Sequence, residues 1–349
     1  MDVEIHDFGI NDGFKTYVVS IKNDNGHLVQ ITNYGGIVHS WVCPDKDGIY
    51  ADILLGCPNL DDYLNGHPYF GAIIGRYANR INHGRFELDG IKYQLPVNLP
   101  PHHLHGGILG FDRKIWAMDV KKYPEKCIIS LQTESCHLEE GYPGNLIIKV
   151  NYTFTNDNQL IIEYFATTDQ LTILNLTNHC YFNLSGNPSG NILDHEVLIT
   201  ADFFTKTNDS SIPTGQLESV SGTILNFKNF RKISEGIYSE DPLLKNTKGY
   251  DHNFVLIDEN FKLPSAVARH KASGRVLEVY TDQPGIQLYT GNWLGGVAGK
   301  QGFYADYAGL CLETQHFPDS PNHPNFPDTT LRPGEKFYSK TIYKITKEN

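Results

Sequence analysis

The sequence predicts an all-β protein. Two observations carry this reading. Apolar and polar residues alternate with period two over many short stretches, and Gly-, Asn- or Pro-containing turns separate those stretches. A third observation agrees with them: no amphipathic pattern of helical period lasts three turns. Many short strands joined by tight turns are the mark of a sandwich or a related architecture.

Taken in order, residues 16–22, 28–34 and 37–42 read as strands in quick succession. Asn23-Asp24-Asn25-Gly26 and Gly35-Gly36 supply the turns between them. Asn59 is placed to cap a single helical turn over 59–63, too short to shape the architecture. Residues 85–95 read as a hairpin around Asp89-Gly90, the strongest short-range hairpin signal. Residues 127–133, 145–154 and 159–168 are three further strands, the last two joined at Asn156-Asp157-Asn158. Later strands are expected at 172–178, 195–201, 275–281, 285–289 and 337–345. Residues 203–250 are the least regular and read as a loop-rich cover over one end of the sandwich. No repeat, low-complexity stretch or linker divides the chain, so residues 1–349 are expected to form one domain.

Composition narrows the function. With 40% hydrophobic and 12% aromatic residues, the chain can bury a substantial core. Forty acidic against 29 basic residues give a net charge of −11. That argues against a nucleic-acid or anionic-membrane partner, which calls for a basic surface. The six cysteines form no CxxC pair and match no zinc module, so they are expected to be reduced thiols. The acidic start, Met1-Asp2-Val3-Glu4, lacks the basic and apolar regions of a signal peptide, and no apolar run reaches membrane-spanning length. The expected compartment is the cytoplasm.

Five polar constellations sit where a strand is expected to meet a loop. In the first, Gly309 to Asp319, alternation puts Leu310 and Leu312 on a core face and Cys311, Glu313 and Gln315 on the other. By itself Glu313 reads as a solvated acid at a strand end, with proton transfer as the alternative. The second, Gly75-Arg76-Tyr77-Ala78-Asn79-Arg80-Ile81, offers two planar donor forks, or two surface arginines. The third, His102-His103-Leu104-His105-Gly106-Gly107, suggests metal by its histidines. However, adjacent histidines point apart in a strand, and no HExxH or Cys partner accompanies them. His105, backed by two glycines, fits a donor to a closely approaching ligand better.

In the fourth, Asn178-His179-Cys180-Tyr181-Phe182-Asn183-Leu184, His179 is either a satisfied core histidine or a proton donor near neutral pH. In the fifth, Gly249-Tyr250-Asp251-His252, Asp251 is either a turn cap or a ligand contact. No GxGxxG, Walker loop, GxSxG elbow or CxxC is present. What remains suits acid–base chemistry on a neutral polyhydroxylated ligand such as a sugar, with planar polar groups for the hydroxyls and aromatics for the ring face.

These blocks, in this order, resemble the aldose 1-epimerase (galactose mutarotase) family. To them are added His67-Pro68-Tyr69-Phe70-Gly71, Gly291-Asn292-Trp293-Leu294 and the terminal Leu331-Arg332-Pro333-Gly334-Glu335. The resemblance spans nearly the whole chain. It implies a β-supersandwich of large antiparallel sheets, no cofactor, and interconversion of the α and β anomers of a free aldohexose such as galactose or glucose; from the histidine spacings no metal is expected. Glu313 matches the family's catalytic base and His179 its general acid. His105 matches a second histidine near the ring oxygen. Asn79, Arg80, Asp251 and Gln287 match residues that contact the sugar hydroxyls.

Cys180 stands where Ser is frequent, and Trp293 where Phe is common. Ring opening would need an ionised Glu313 and a protonated His179, which Asp251 and Glu313 are expected to favour. Residues 317–327 are expected to form the pocket rim. The alternatives are a hexose-6-phosphate 1-epimerase, which would want a denser basic cluster than Arg76 and Arg80, a non-catalytic sugar-binding module, and a metal-dependent enzyme. The oligomeric state is not legible in the sequence.

Overall fold

The structure, a computed structural model, describes residues 1–187, 190–257 and 260–348. Among these residues the main sheet has nine strands, all antiparallel. In spatial order they are Ala117–Lys122, Lys126–Ser135, Leu146–Thr155, Gln159–Thr168, Phe337–Lys347, Arg275–Thr281, Ala266–His270, Glu196–Ile199 and Arg231–Lys232. The strand nearest the C-terminus thus lies in the middle, with Lys344 opposite both Gln159 and Glu278.

A second sheet of five strands is a simple meander: Asp2–Asn11, Phe14–Lys22, Leu28–Thr32, Val38–Pro44 and Tyr50–Asp52. A third runs Pro213–Ser219, Ala201–Thr207, Asp251–Leu256, Gly285–Tyr289 and Cys311–Gln315. The all-β expectation holds. One apolar cluster draws on all three sheets, including Ile21 and Trp41 from the second, Ile129, Val150 and Ile162 from the first, and Ile286, Leu288 and Leu312 from the third. Each such side chain contributes roughly 1.5–3 kcal/mol by leaving water.

The hairpin about Asp89-Gly90 pairs Leu88 with Ile91, and both turn residues have positive φ. Asn59 caps the five-residue helix Leu60–Leu64 by accepting from the Asp62 amide at 3.0 Å. Two expectations change. The stretch 172–178 is not one strand; it splits into Thr172–Ile173 and Thr177–Asn178. Residues 203–250 are also more regular than expected. They contribute the edge of the third sheet, where a register shift between Thr205 and Thr207 interrupts the alternation, and two short helices, Ile233–Ile237 and Pro242–Lys245. Asp2–Asn11 and Ala117–Lys122 were not anticipated. Both are edge strands with largely exposed side chains, so they carry little apolar pattern. Among the described residues no helix is long and apolar enough to cross a membrane.

Candidate active site

The third sheet makes the floor of the site. Its register sets Asp251 opposite Tyr289 and Tyr289 opposite Cys311; one step along, Asn253, Gln287 and Glu313 lie side by side. Directly paired residues and their i+2 neighbours share a face. One face therefore carries Asp251, Gln287 and Glu313, while Phe254, Ile286, Leu288 and Leu312 point into the core from the other. Strand geometry alone aims the acids away from the apolar cluster.

Above this floor lies a cavity of about 380 Å³. Asn79, Arg80, His105, His179, Asp251 and Glu313 all line it, with Tyr69, Tyr181, Tyr289, Leu99, Leu104, Pro68 and Trp293. Gln287 stands behind Asp251 and donates to its Oδ1 at 2.6 Å. The Arg80 guanidinium approaches the other Asp251 oxygen at 3.6 Å. The seven residues singled out by sequence are thus brought to one place, six on the wall and one directly supporting it.

His179 Nε2 lies 3.6 Å from Glu313 Oε1, and both side chains are almost completely buried. Glu313 Oε2 has no hydrogen-bond partner among the described residues. The His179 ring stacks near Tyr181, with centroids 4.9 Å apart. Burial pushes the His179 imidazole down to about 3. Burial also pushes the Glu313 carboxyl well above its usual range, with the Asp251 charge adding to the effect and Arg80 opposing it. Nearby acids were expected to keep His179 charged; burial instead favours its neutral form. Burial thus disfavours the charged form of each group.

His105 is held differently. It has φ 53° and Asn79 has φ 67°, left-handed conformations for both. This geometry brings the Asn79 amide to His105 Nδ1 at 3.0 Å, as donor. The next residue, Gly106, has φ 87°, and a Cβ there would lie 1.8 Å from the Gly75 carbonyl oxygen. Since Nδ1 accepts, a neutral His105 carries its hydrogen on Nε2.

His105, His179 and Glu313 place one ligating atom each within 4.8 Å of one another, enough to suggest a metal. The His105 hydrogen bond opposes that. Nε2 could ligate only if Nδ1 took the proton, which would set two N–H groups against each other. The rest of the histidine run is structural: His103 bridges the Pro96 carbonyl and the Tyr142 hydroxyl, and His102 Nδ1 accepts from the His83 amide.

Arg76 is also structural. It is buried and donates to the carbonyls of Ser135, Cys136, Pro143 and Gly144. Residues 317–327 do not line the cavity, contrary to expectation. Asp319 instead braces the strand that carries Arg80: its amide donates to the Arg80 carbonyl at 2.8 Å, and its Oδ1 accepts from the Asn82 amide. Sequence reasoning did not single out Tyr69, Tyr181 and Tyr289, although the first two lie within the family blocks.

Fold and pocket together define an all-β protein with a buried carboxyl–imidazole pair on the wall of a small polar cavity. Comparison with known proteins narrows the class. A family profile for aldose 1-epimerase matches residues 17–344. Galactose mutarotase of Mus musculus is 44% identical over 320 residues, 91% of each chain. Aldose 1-epimerase of Escherichia coli K12 is 37% identical over 341 residues, 97% of each. The crystal structure of an aldose epimerase homologue from C. elegans superimposes with a TM-score of 0.86 at 31% identity, covering 95% of this chain and 98% of that one. The chain belongs to the aldose 1-epimerase family. It is an isomerase that interconverts the anomers of an aldose.

Proposed function

We propose that the substrate is a free aldohexose, galactose or glucose, and that Glu313 and His179 are the base and acid of the reaction. One observation carries the assignment: the two groups lie 3.6 Å apart on the cavity wall, and Glu313 has an oxygen without a partner among the described residues. The two oxygens that exchange protons in mutarotation, the anomeric hydroxyl and the ring oxygen, are bonded to the same carbon. The acid and base that serve them must therefore stand side by side.

Glu313 takes the anomeric hydroxyl proton as His179 gives one to the ring oxygen, and the C1–O5 bond breaks to leave an aldehyde. Rotation about C1–C2 presents its other face. Glu313 then returns its proton to the carbonyl oxygen while His179 reclaims the other, and the ring closes as the second anomer.

Burial favours the neutral forms of the pair, neutral His179 with protonated Glu313, and that is the distribution reached when the ring has opened. To open a bound ring the pair must start in the ionic distribution. Sugar hydroxyls donating to Glu313 Oε2 favour that shift, as does the Arg80 charge. His105 Nε2–H and Arg80 are donors for oxygen as charge develops on it. Asp251, held by Gln287 and Arg80, accepts from hydroxyls farther around the ring.

Arg76 is occupied structurally, so among the described residues Arg80 is the one arginine on the cavity wall. That favours a neutral sugar over a hexose 6-phosphate, whose dianion calls for several converging cations. Retention of both acid and base favours catalysis over sugar binding alone. Polarimetry on freshly dissolved α-D-galactose and α-D-glucose tests the reading. Glu313→Gln and His179→Gln are each expected to lose at least ~10²-fold in rate, the lower end for a proton-transfer group. An unchanged rate in either variant would overturn its role. A hexose 6-phosphate that competes more tightly than the free sugar would overturn the substrate class.

A further inference from the structure

We propose that Cys311 is a positioning residue: its sulfur accepts the Nδ1–H of His179 and so reserves Nε2 for proton exchange with the sugar. This rests on the assignment of His179 as the acid. Cys311 and Glu313 are two apart on one strand, so alternation sends both side chains to the pocket face. His179 meets both of them. Its Nδ1 lies 3.4 Å from Cys311 Sγ, and its Nε2 lies 3.6 Å from Glu313 Oε1. One strand thus addresses both nitrogens of the imidazole, one through sulfur and one through the base.

The contact answers a requirement of the reaction. A histidine that gives and reclaims a proton at Nε2 must keep its other hydrogen on Nδ1 throughout. The flanking rings do not settle this. Tyr181 and Tyr69 lie nearly parallel to His179, at interplanar angles of 22° and 23°, and they fix the plane of the ring rather than which nitrogen faces the cavity. Cys311 makes the two orientations unequal.

Sulfur also suits the task chemically. Burial holds the Cys311 thiol well above its ordinary range, so the partner is neutral. A neutral sulfur is a weak acceptor. A carboxylate in its place would orient the ring as well, but would stabilise the imidazolium and weaken it as an acid. Cys311 orients His179 while leaving its proton easy to give. With this contact a neutral His179 carries its hydrogen on Nδ1 and leaves Nε2 bare.

The test is 15N NMR on full-length, histidine-labelled protein, with the His179 signals assigned by their loss in His179→Gln. Unliganded wild type is expected to show a neutral ring protonated at Nδ1. Cys311→Ser keeps an acceptor atom and should retain that pattern with a rate close to wild type. Cys311→Val removes the acceptor. It should show mixed tautomers and a kcat lower by roughly three- to tenfold, the scale of one neutral hydrogen bond, with KM unchanged. An Nε2-protonated ring in the wild type would overturn the proposal. So would Cys311→Val with the wild-type spectrum, whatever its rate, because a lower rate without a tautomer change marks packing alone. A wild-type rate in His179→Gln would instead overturn the acid assignment, a separate outcome.

Discussion

At the scale of single residues, the two pocket histidines have opposite constraints. His179 sits between a thiol and a carboxyl. His105 accepts at Nδ1 from a main-chain amide that cannot rotate away, so Nε2–H is a fixed donor. Replacing His105 by Leu should lower kcat on the order of 10²-fold, the scale of one oxyanion-type donor. Its pH–rate profile should keep the wild-type shape, because a fixed donor does not titrate in the reaction; a displaced profile would assign His105 an acid–base role. The same hydrogen bond predicts that prolonged chelation leaves mutarotation unchanged. A rate that falls with EDTA and returns with a divalent ion would show that the His105 tautomer is not locked.

At the scale of elements, the site is a polar face on an otherwise core-forming sheet. Asp251 is tied to Gln287 within that sheet and to Arg80 from the facing wall. Asp251→Asn should raise KM roughly 10- to 100-fold, the worth of a hydrogen bond to a charged group, and lower kcat less; steady-state kinetics that show the reverse would move Asp251 into the proton-transfer step. The turn behind His105 depends on a missing side chain. Gly106→Ala places a methyl against the Gly75 carbonyl and asks a left-handed conformation of alanine. It should cost about 1–3 kcal/mol in urea unfolding and reduce activity by shifting His105.

Much of this scale was legible beforehand. Alternation around Glu313 separated the leucines from the acid, and the Asp-Gly hairpin, the Asn59 cap and the strands at 275–281 and 285–289 stand where expected. What could not be read was the company each residue keeps. Arg76 and Arg80 are four apart in one motif, yet one staples carbonyls and the other faces the cavity. The same holds for the histidine run, of which His105 alone reaches the pocket. Local pattern reports which face a side chain takes; partners contributed by distant segments decide the rest. The direction in which burial moves His179 was not legible for a related reason, since the loss of water around a ring depends on the whole enclosure.

At the scale of the molecule, enclosure also links stability to pH. His195 and His103 are fully buried outside the pocket, and burial holds them at about 3 and about 4 against an ordinary 6.5. As pH falls below 6.5 the unfolded chain takes up these protons and the folded chain does not. Stability therefore declines through that window, by roughly 1.4 kcal/mol per pH unit for each such group. Urea midpoints measured between pH 7 and 5 should fall, and His195→Gln should flatten the slope by about one group's worth; a slope unaffected by that change would show that His195 titrates normally in the fold.

The position of Phe337–Lys347 has a consequence for biosynthesis. It fills the gap between Gln159–Thr168 and Arg275–Thr281. A ribosome therefore makes both of the strands flanking that gap long before the one that joins them. Until it arrives, the nascent chain carries two open strand edges, each able to capture a neighbouring polypeptide. The strand Cys311–Gln315, which carries Glu313, has by then been made, yet the main sheet is still in two halves. A premature stop just ahead of residue 337 would thus leave every residue of the pocket present in an aggregation-prone chain, and quality control rather than chemistry would decide the fate of the message.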